Sequence, residues 1–153
     1  MSVVLVVEDE EQVRVLAESF LQGEGHKTLS AATTEQALVL LEGDEPIDLM
    51  FIDLVMQSDP EAGLKVAKKA AEIRPNLKVL YTSGQGVTDG MSALFVKDSA
   101  FCRSPIQSIN LRKRSWPNST LAVVQRIHDL SDRATKFLFG GTITTTISKR
   151  AGG

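Results

Sequence analysis

The chain has 153 residues, of which 42% are hydrophobic and 24% are charged, as expected for one soluble globular domain. No apolar run approaches the roughly 20 residues that cross a bilayer. The first strand-like run follows Met1 and Ser2 without the basic region of a signal peptide, so we expect a cytoplasmic location and no membrane partner. The single cysteine excludes an internal disulfide and a multi-cysteine zinc site.

Charge is distributed unevenly along the sequence. Residues 1–101 contain 17 of the 19 acidic residues and 8 of the 17 basic ones. Residues 102–153 contain the other 9 basic and 2 acidic residues. The chain therefore has an acidic body and a basic C-terminal part, a division that requires an explanation.

The first hundred residues alternate between apolar runs and helical patterns. Val3–Val7 is a continuous β-branched run, typical of a strand buried on both faces, and apolar residues at helical spacing follow it as far as Gly23. The later segments are predicted as a strand at Lys27–Ala31, a helix capped by Thr33 or Thr34, a strand at Ile47–Ile52, a helix at Glu61–Ile73, a strand at Leu77–Tyr81, a short helix within Gly86–Phe95 and a strand beginning at Ala100–Cys102. This alternation predicts a parallel sheet with helices on both faces.

The patterns change near residue 116. Apolar residues recur at helical spacing within 119–131 and indicate a helix. Gly140-Gly141 lies between apolar and Thr-rich stretches and permits a hairpin at 137–147. We therefore divide the chain into a domain at 1–115 and an atypical tail at 116–153.

Three carboxylates follow predicted strands: Glu8 and Asp9 follow the first, and Asp53 follows the third. Each alone is explained by a turn or by the first turn of a helix. The carboxyl ends of parallel strands share one edge, where ligands bind, so these acids converge if the two strands are neighbours. Mg²⁺ relieves the repulsion in such a cluster. With the Thr82 hydroxyl at the same edge, the arrangement suits phosphoryl transfer to a carboxylate.

These residues resemble the receiver domain of bacterial two-component systems, including the receivers of hybrid sensor histidine kinases and of single-domain regulators. Val6–Glu10 is similar to the first acidic motif of that family, Leu49–Met56 to its phosphoacceptor strand and Val79–Gly84 to its switch strand. The resemblance covers residues 1 to about 101. It implies a flavodoxin-like α/β fold of five β-α units, a doubly wound parallel sheet with strand order 2-1-3-4-5.

The resemblance also implies roles for individual residues. Asp53 would accept a phosphoryl group from a histidine kinase or a histidine phosphotransfer protein. Thr82 would bind that group, and Phe101 holds the place of an aromatic switch residue. The implied Mg²⁺ ligands are Glu8, Asp9, Asp53 and the backbone carbonyl of Val55. Such a module signals by conformational change and is not a turnover enzyme, apart from hydrolysis of its own aspartyl phosphate.

One position departs from the family. After the fifth strand the family has a Lys-Pro pair whose lysine binds phosphoryl oxygens, whereas this chain has Ser104-Pro105. Arg103 and Lys97 are nearby cations, but neither matches the lysine position. Loss of the lysine would leave phosphoryl chemistry possible while weakening its coupling to conformation, so a receiver-like module that no longer switches is an alternative interpretation.

A shifted reading frame explains both the departure and the basic tail. Phe101 to Asn110 can be encoded so that one cytosine restored after the Phe101 codon gives Phe-Leu-Pro-Lys-Pro-Tyr-Thr-Val-Asn-Gln, which contains the missing pair. We hypothesise that residues 102–153 are read in a shifted frame; the alternative is a natural divergent C-terminus. The hypothesis predicts that the helix at 119–131 replaces the last receiver helix, or that exposed apolar surface causes self-association.

Other functions fit the residues less well. A Mg²⁺-dependent hydrolase of the haloacid-dehalogenase type shares the Asp nucleophile but carries a second Asp two residues later, where this chain has Val55. A nucleotide or flavin binder needs a glycine- or hydroxyl-rich loop after the first strand, where this chain has Glu8–Glu11. The cluster Arg112-Lys113-Arg114 beside Trp116 is more typical of a solvated surface than of a nucleic-acid site.

Overall fold

A computed structural model gives the fold, and it describes residues 1–84, 87–97, 99–103, 109–111, 118 and 120–126. Strands and helices alternate over the first hundred residues, as the sequence predicts. The elements are β1 Val3–Val7, α1 Glu11–Gly23, β2 Lys27–Ala31, α2 Thr34–Glu42, β3 Leu49–Asp53, α3 Ala62–Ile73, β4 Lys78–Ser83, α4 Asp89–Ala93, β5 Ser99–Arg103 and β6 Ile109–Leu111. None of the helices in these described ranges is long and apolar enough to span a membrane.

The strands form one sheet in the order β2-β1-β3-β4-β5-β6. The first five are parallel, which confirms the predicted order 2-1-3-4-5. β1 pairs with β2 on one side and with β3 on the other, so the strand order reverses at β1 and the carboxyl ends of β1 and β3 lie side by side. β6 pairs antiparallel with β5 and extends the sheet beyond the predicted fold.

The central strand β1 is buried along its whole length, and its alternate residues enter two separate cores. Leu5 and Val7 pack in the larger core with apolar residues of α2 and α3. Val4 and Val6 pack in a second core with Leu21 of α1. Each such buried side chain contributes about 1.5–3 kcal/mol relative to an exposed one. Packing on both faces therefore fixes the position of the strand end that carries the first acidic residues.

Part of the C-terminal chain completes the second core. Residues 118 and 120–126 are helical. Val123 and Val124 are buried and pack in the same core as Val4 and Val6. The rest of the predicted 119–131 helix and the predicted hairpin at 137–147 lie outside the described residues.

Some strand boundaries differ from the sequence prediction. β3 begins at Leu49 and not at Ile47, and the Asp48 carboxylate just before it accepts the Val3 N–H at 2.8 Å. β4 extends through Thr82 to Ser83, because both residues continue the pairing with β5. The longer β4 places Thr82 inside the sheet, directly beside the last residue of β3.

Candidate functional site

Three carboxylates converge where β1 and β3 end. Glu8 and Asp9 follow β1, Asp53 is the last residue of β3, and one oxygen from each lies within 4.8 Å of the others. Three carboxylate oxygens at this spacing match the ligands that a hard divalent cation such as Mg²⁺ prefers. The structure thus brings together the three acidic side chains that the sequence singled out.

Backbone contacts hold Glu8 in the cluster. Its N–H donates to the Ala31 carbonyl at 3.1 Å, which continues the β1–β2 ladder by one residue. One of its carboxylate oxygens accepts the Glu10 N–H at 3.1 Å. The Arg14 guanidinium of α1 reaches back and donates to the Glu8 carbonyl at 2.9 Å. The Glu8 side chain is therefore fixed and is only 5% exposed.

Asp53 and Thr82 are register partners on β3 and β4. Paired residues of neighbouring strands project from the same face of a sheet, so the Thr82 hydroxyl lies on the Asp53 side. The Leu54 N–H donates to the Thr82 carbonyl at 2.8 Å and ties the two strand ends together. The Val55 N–H donates to Asp53 Oδ1 at 3.2 Å.

Burial and mutual repulsion shift the acidity of the cluster. Burial, assisted by the nearby charge of Asp53, raises the pKa of Glu8 from 4.5 to about 8. Burial, assisted by the charge of Asp9, raises the pKa of Asp53 from 3.8 to about 6. Both shifts mean that the folded chain, without a cation, binds protons at this site more tightly than the unfolded chain does.

The metal-free chain is expected to lose stability as the pH rises. The raised pKa values of Glu8 and Asp53 stabilise the folded state fully below about pH 4, and this contribution disappears as the pH passes through each folded-state pKa. Glu8 alone accounts for a loss on the order of 4 kcal/mol in the free energy of unfolding between pH 5 and pH 9. Urea unfolding at several pH values, with EDTA present, measures this loss.

Glu8→Gln supplies the matched comparison, because the amide cannot ionise but retains an oxygen for the Glu10 N–H. At pH 9 this variant should be more stable than the parent chain. Equal pH dependence of the two proteins would show that Glu8 is not the group responsible.

Two further residues at this site escape sequence reasoning. The backbone N–H of Gln57, in the loop after β3, donates to Asp9 Oδ2 at 2.8 Å. Gly63, in the first turn of α3, donates its N–H to the Leu54 carbonyl at 3.0 Å. An added Cβ at Gly63 would overlap the Asp53 carbonyl. A glycine inside a predicted helix is a weak sequence signal for close packing, whereas nothing in the sequence marks Gln57.

Two further predicted residues are Phe101 and Ser104. Phe101 is half-buried near Phe95, with ring centroids 6.1 Å apart, and Phe95 stacks on Tyr81 at 4.2 Å. Burial raises the pKa of Tyr81 to about 12, and its hydroxyl accepts the Val96 N–H at 3.3 Å. Ser104 lies outside the described residues.

The family model of the response regulator receiver domain matches residues 4–113, which is more than two thirds of the chain. The chain belongs to this family. Receiver domains are signalling modules of two-component systems and not typical turnover enzymes, and they exchange phosphoryl groups with histidine kinases or phosphotransfer proteins. Mg²⁺ and aspartyl phosphate are typical of the family. The match extends past residue 101, where the motif resemblance ends.

Several curated proteins are similar to this receiver domain. Response regulator SaeR from Staphylococcus epidermidis is 25% identical over 151 residues, covering 97% of this chain and 62% of SaeR. A putative NtrX-like response regulator from Rickettsia bellii is 30% identical over 86 residues, covering 56% of this chain and 18% of that protein. The chain thus spans less than two thirds of both relatives. Sporulation initiation phosphotransferase F of Bacillus subtilis is 29% identical over 86 residues, 56% of this chain and 67% of its own length.

Solved receiver structures share the fold. The receiver domain of hybrid histidine kinase CckA has a TM-score of 0.56 and 27% identity, covering 82% of this chain and 98% of that one. A CheY-like receiver from Methanospirillum hungatei has a TM-score of 0.61 and 21% identity, and the match covers 88% of this chain and 98% of that receiver. Response regulator TrrA from Thermotoga maritima was solved in complex with Mg²⁺-BeF. It has a TM-score of 0.57 and 23% identity, and the match covers 82% of this chain and 99% of TrrA.

Proposed function

We propose that this receiver domain takes a phosphoryl group from a histidine kinase or a histidine phosphotransfer protein onto Asp53. The observation that carries the proposal is the convergence of Asp53 with Glu8 and Asp9, whose carboxylate oxygens lie within 4.8 Å of one another. The three residues form the side-chain ligands for Mg²⁺, with the Val55 carbonyl as the further ligand.

The chemistry follows from the contacts of Asp53. Oδ1 accepts the Val55 N–H, which orients the carboxylate. A carboxylate oxygen of Asp53 forms the new bond to phosphorus while the phosphorus–nitrogen bond of the donor phosphohistidine breaks. The ring nitrogen leaves as a neutral imidazole, because the other ring nitrogen of the donor carries a proton. The Thr82 hydroxyl, on the same face, donates to a phosphoryl oxygen. The cation, when bound, neutralises charge on the transferring group and on the carboxylates. The raised pKa of Asp53, about 6, still leaves the carboxylate ionised at neutral pH.

Structural neighbours fit this proposal. TrrA was solved with Mg²⁺-BeF. A response regulator from Burkholderia pseudomallei with a TM-score of 0.61 and 19% identity was solved with a phosphorylated aspartic acid and a calcium ion.

The cytoplasmic location and the self-association that the sequence analysis predicts for this chain stay predictions.

The test is a phosphorylation assay on the purified chain. The chain is incubated with Mg²⁺ and acetyl phosphate, and its intact mass is recorded with and without EDTA. We expect one labile phosphoryl adduct that requires the cation. A folded chain that gains no adduct under these conditions, or gains it equally in EDTA, contradicts the proposal.

Ser104→Lys tests whether the missing lysine weakens binding of the phosphoryl group. Ser104 directly follows β5 in the sequence, and β5 runs parallel to β4 beside Thr82 and Ser83. A lysine at this position would add a positive charge for the phosphoryl oxygens, and such a charge-assisted contact contributes about 1.5–3 kcal/mol. We expect the variant to bind beryllofluoride at least about tenfold more tightly in a Mg²⁺-dependent titration. Ser104→Gln adds a side chain of similar length without the charge, and equal gains in both variants would argue against the role of the lysine.

A further inference from the structure

The loop between β3 and α3 contains a tight turn built from residues that do not favour it. Met56 and Asp59 pair in both directions, with N–H to carbonyl distances of 3.3 and 2.8 Å. The two residues between them, Gln57 and Ser58, have φ values of 52° and 65°. Positive φ at both central positions is the requirement of a type I′ turn, which favours Asn-Gly or Gly-Gly. This chain maintains the turn without a glycine.

The turn is anchored to α3 through Asp59. One carboxylate oxygen of Asp59 accepts the Glu61 N–H at 2.9 Å, and its backbone carbonyl accepts the Ala62 N–H at 3.3 Å. The other carboxylate oxygen accepts from Lys65 Nζ at 2.9 Å, also in α3. The turn is therefore held against the helix and cannot drift freely relative to the sheet edge.

The turn directs the Gln57 N–H toward the carboxylate cluster. Its own hydrogen bonds use the N–H groups of Met56 and Asp59, and the Gln57 N–H instead donates to Asp9 Oδ2 at 2.8 Å. This hydrogen bond joins loops that are 48 residues apart in sequence. Strained backbone that persists next to a functional site points to a role for the conformation it maintains.

We propose that Gln57 is a positioning residue whose backbone N–H orients Asp9 for cation binding. The inference rests on the proposed function, in which Asp9 is a Mg²⁺ ligand. Asp9 is exposed, so an unrestrained carboxylate would sample several rotamers. The hydrogen bond to Oδ2 restrains the side chain while one of its oxygens lies within 4.8 Å of oxygens of Glu8 and Asp53. Removing a group that hydrogen-bonds a metal ligand typically lowers metal affinity by about 10–100-fold.

The experiment compares Mg²⁺ binding in variants of the full chain by calorimetric titration. Gln57→Pro removes the N–H, and we expect its Mg²⁺ dissociation constant to rise about 10–100-fold. Gln57→Asn keeps the N–H and tolerates positive φ, so its dissociation constant should stay within about threefold of the parent value. Gln57→Val is a second test if the proline variant does not fold, because it keeps the N–H but disfavours the left-handed conformation. Its affinity should also fall.

Urea unfolding without Mg²⁺ separates positioning from general damage. A positioning role predicts that affinity falls more than stability can explain, and that Gln57→Asn preserves affinity. If the parent chain binds Mg²⁺ and Gln57→Pro and Gln57→Val bind it equally well, the inference is wrong and the proposed function stands. If the folded parent chain does not bind Mg²⁺, the cation step of the proposed function fails, and the inference fails with it.

Discussion

Asp53→Asn is expected to abolish the phosphoryl adduct completely. The amide is nearly isosteric with the carboxylate and can still accept the Val55 N–H, but it lacks an anionic oxygen that can attack phosphorus. The substitution also removes a half-buried acid whose pKa is raised to about 6. The variant should therefore remain folded and be at least as stable as the parent chain at pH 8 in EDTA. Loss of the adduct would then report chemistry and not unfolding.

The matched control for Asp53→Asn is Asp44→Asn, which changes an exposed aspartate outside the cluster. It should gain the adduct at the parent rate. Intact-mass measurement after incubation with Mg²⁺ and acetyl phosphate gives both results. Persistence of the adduct in Asp53→Asn would assign the acceptor to another carboxylate, with Asp9 the first to test by peptide mapping.

Gly63→Ala is expected to disturb both the stability and the site. The new Cβ would lie 2.7 Å from the Leu54 Cα and would overlap the Asp53 carbonyl. These are backbone atoms, so α3 or the end of β3 must move. Overpacking of this kind costs about 1–3 kcal/mol, and occasionally more. Displacement of Asp53 should also slow phosphorylation by at least about 100-fold, the loss expected when a reacting group is misplaced by about 1 Å.

Gly23→Ala provides the comparison for Gly63→Ala, because an added Cβ at Gly23 meets no atom within 4 Å. Alanine is favoured over glycine in a helix by about 0.5–1 kcal/mol, so this variant should be slightly more stable than the parent. Urea unfolding and the adduct rate are measured on both variants. A Gly63→Ala protein with parent stability and parent rate would show that α3 can shift without displacing the acceptor.

Sequence patterns predicted most of the sheet because β1 is a continuous apolar run and β3 is apolar up to Asp53. β1 is buried along its whole length, and a doubly buried strand has little alternative to such a composition. β6 escaped prediction, since the alternation of apolar and polar residues in Ile109–Leu111 covers only three residues, too few to carry a strand signal. Its existence depends on antiparallel pairing with β5, a tertiary contact that local sequence does not encode.

The carboxylate cluster was predictable because strand ends in a parallel sheet meet at one edge. Glu8, Asp9 and Asp53 needed only the strand order to be brought together. Gln57 could not be found in this way, because it acts through its backbone N–H, which every residue except proline possesses. Its placement follows from two positive φ values, and the sequence Gln-Ser gives no indication of such a turn.

The second core has a consequence for how the protein is made. Val4, Val6 and Leu49 come early in the chain, whereas Val123 and Val124, which pack in the same core, come more than seventy residues after Leu49. At about 5–20 residues per second, translation leaves this face of the sheet incomplete for several seconds. During that interval the nascent chain exposes a β-branched apolar surface, the kind that binds chaperones or neighbouring chains. A released chain truncated between β5 and residue 120 would therefore hold a fully paired parallel sheet that is still prone to aggregate.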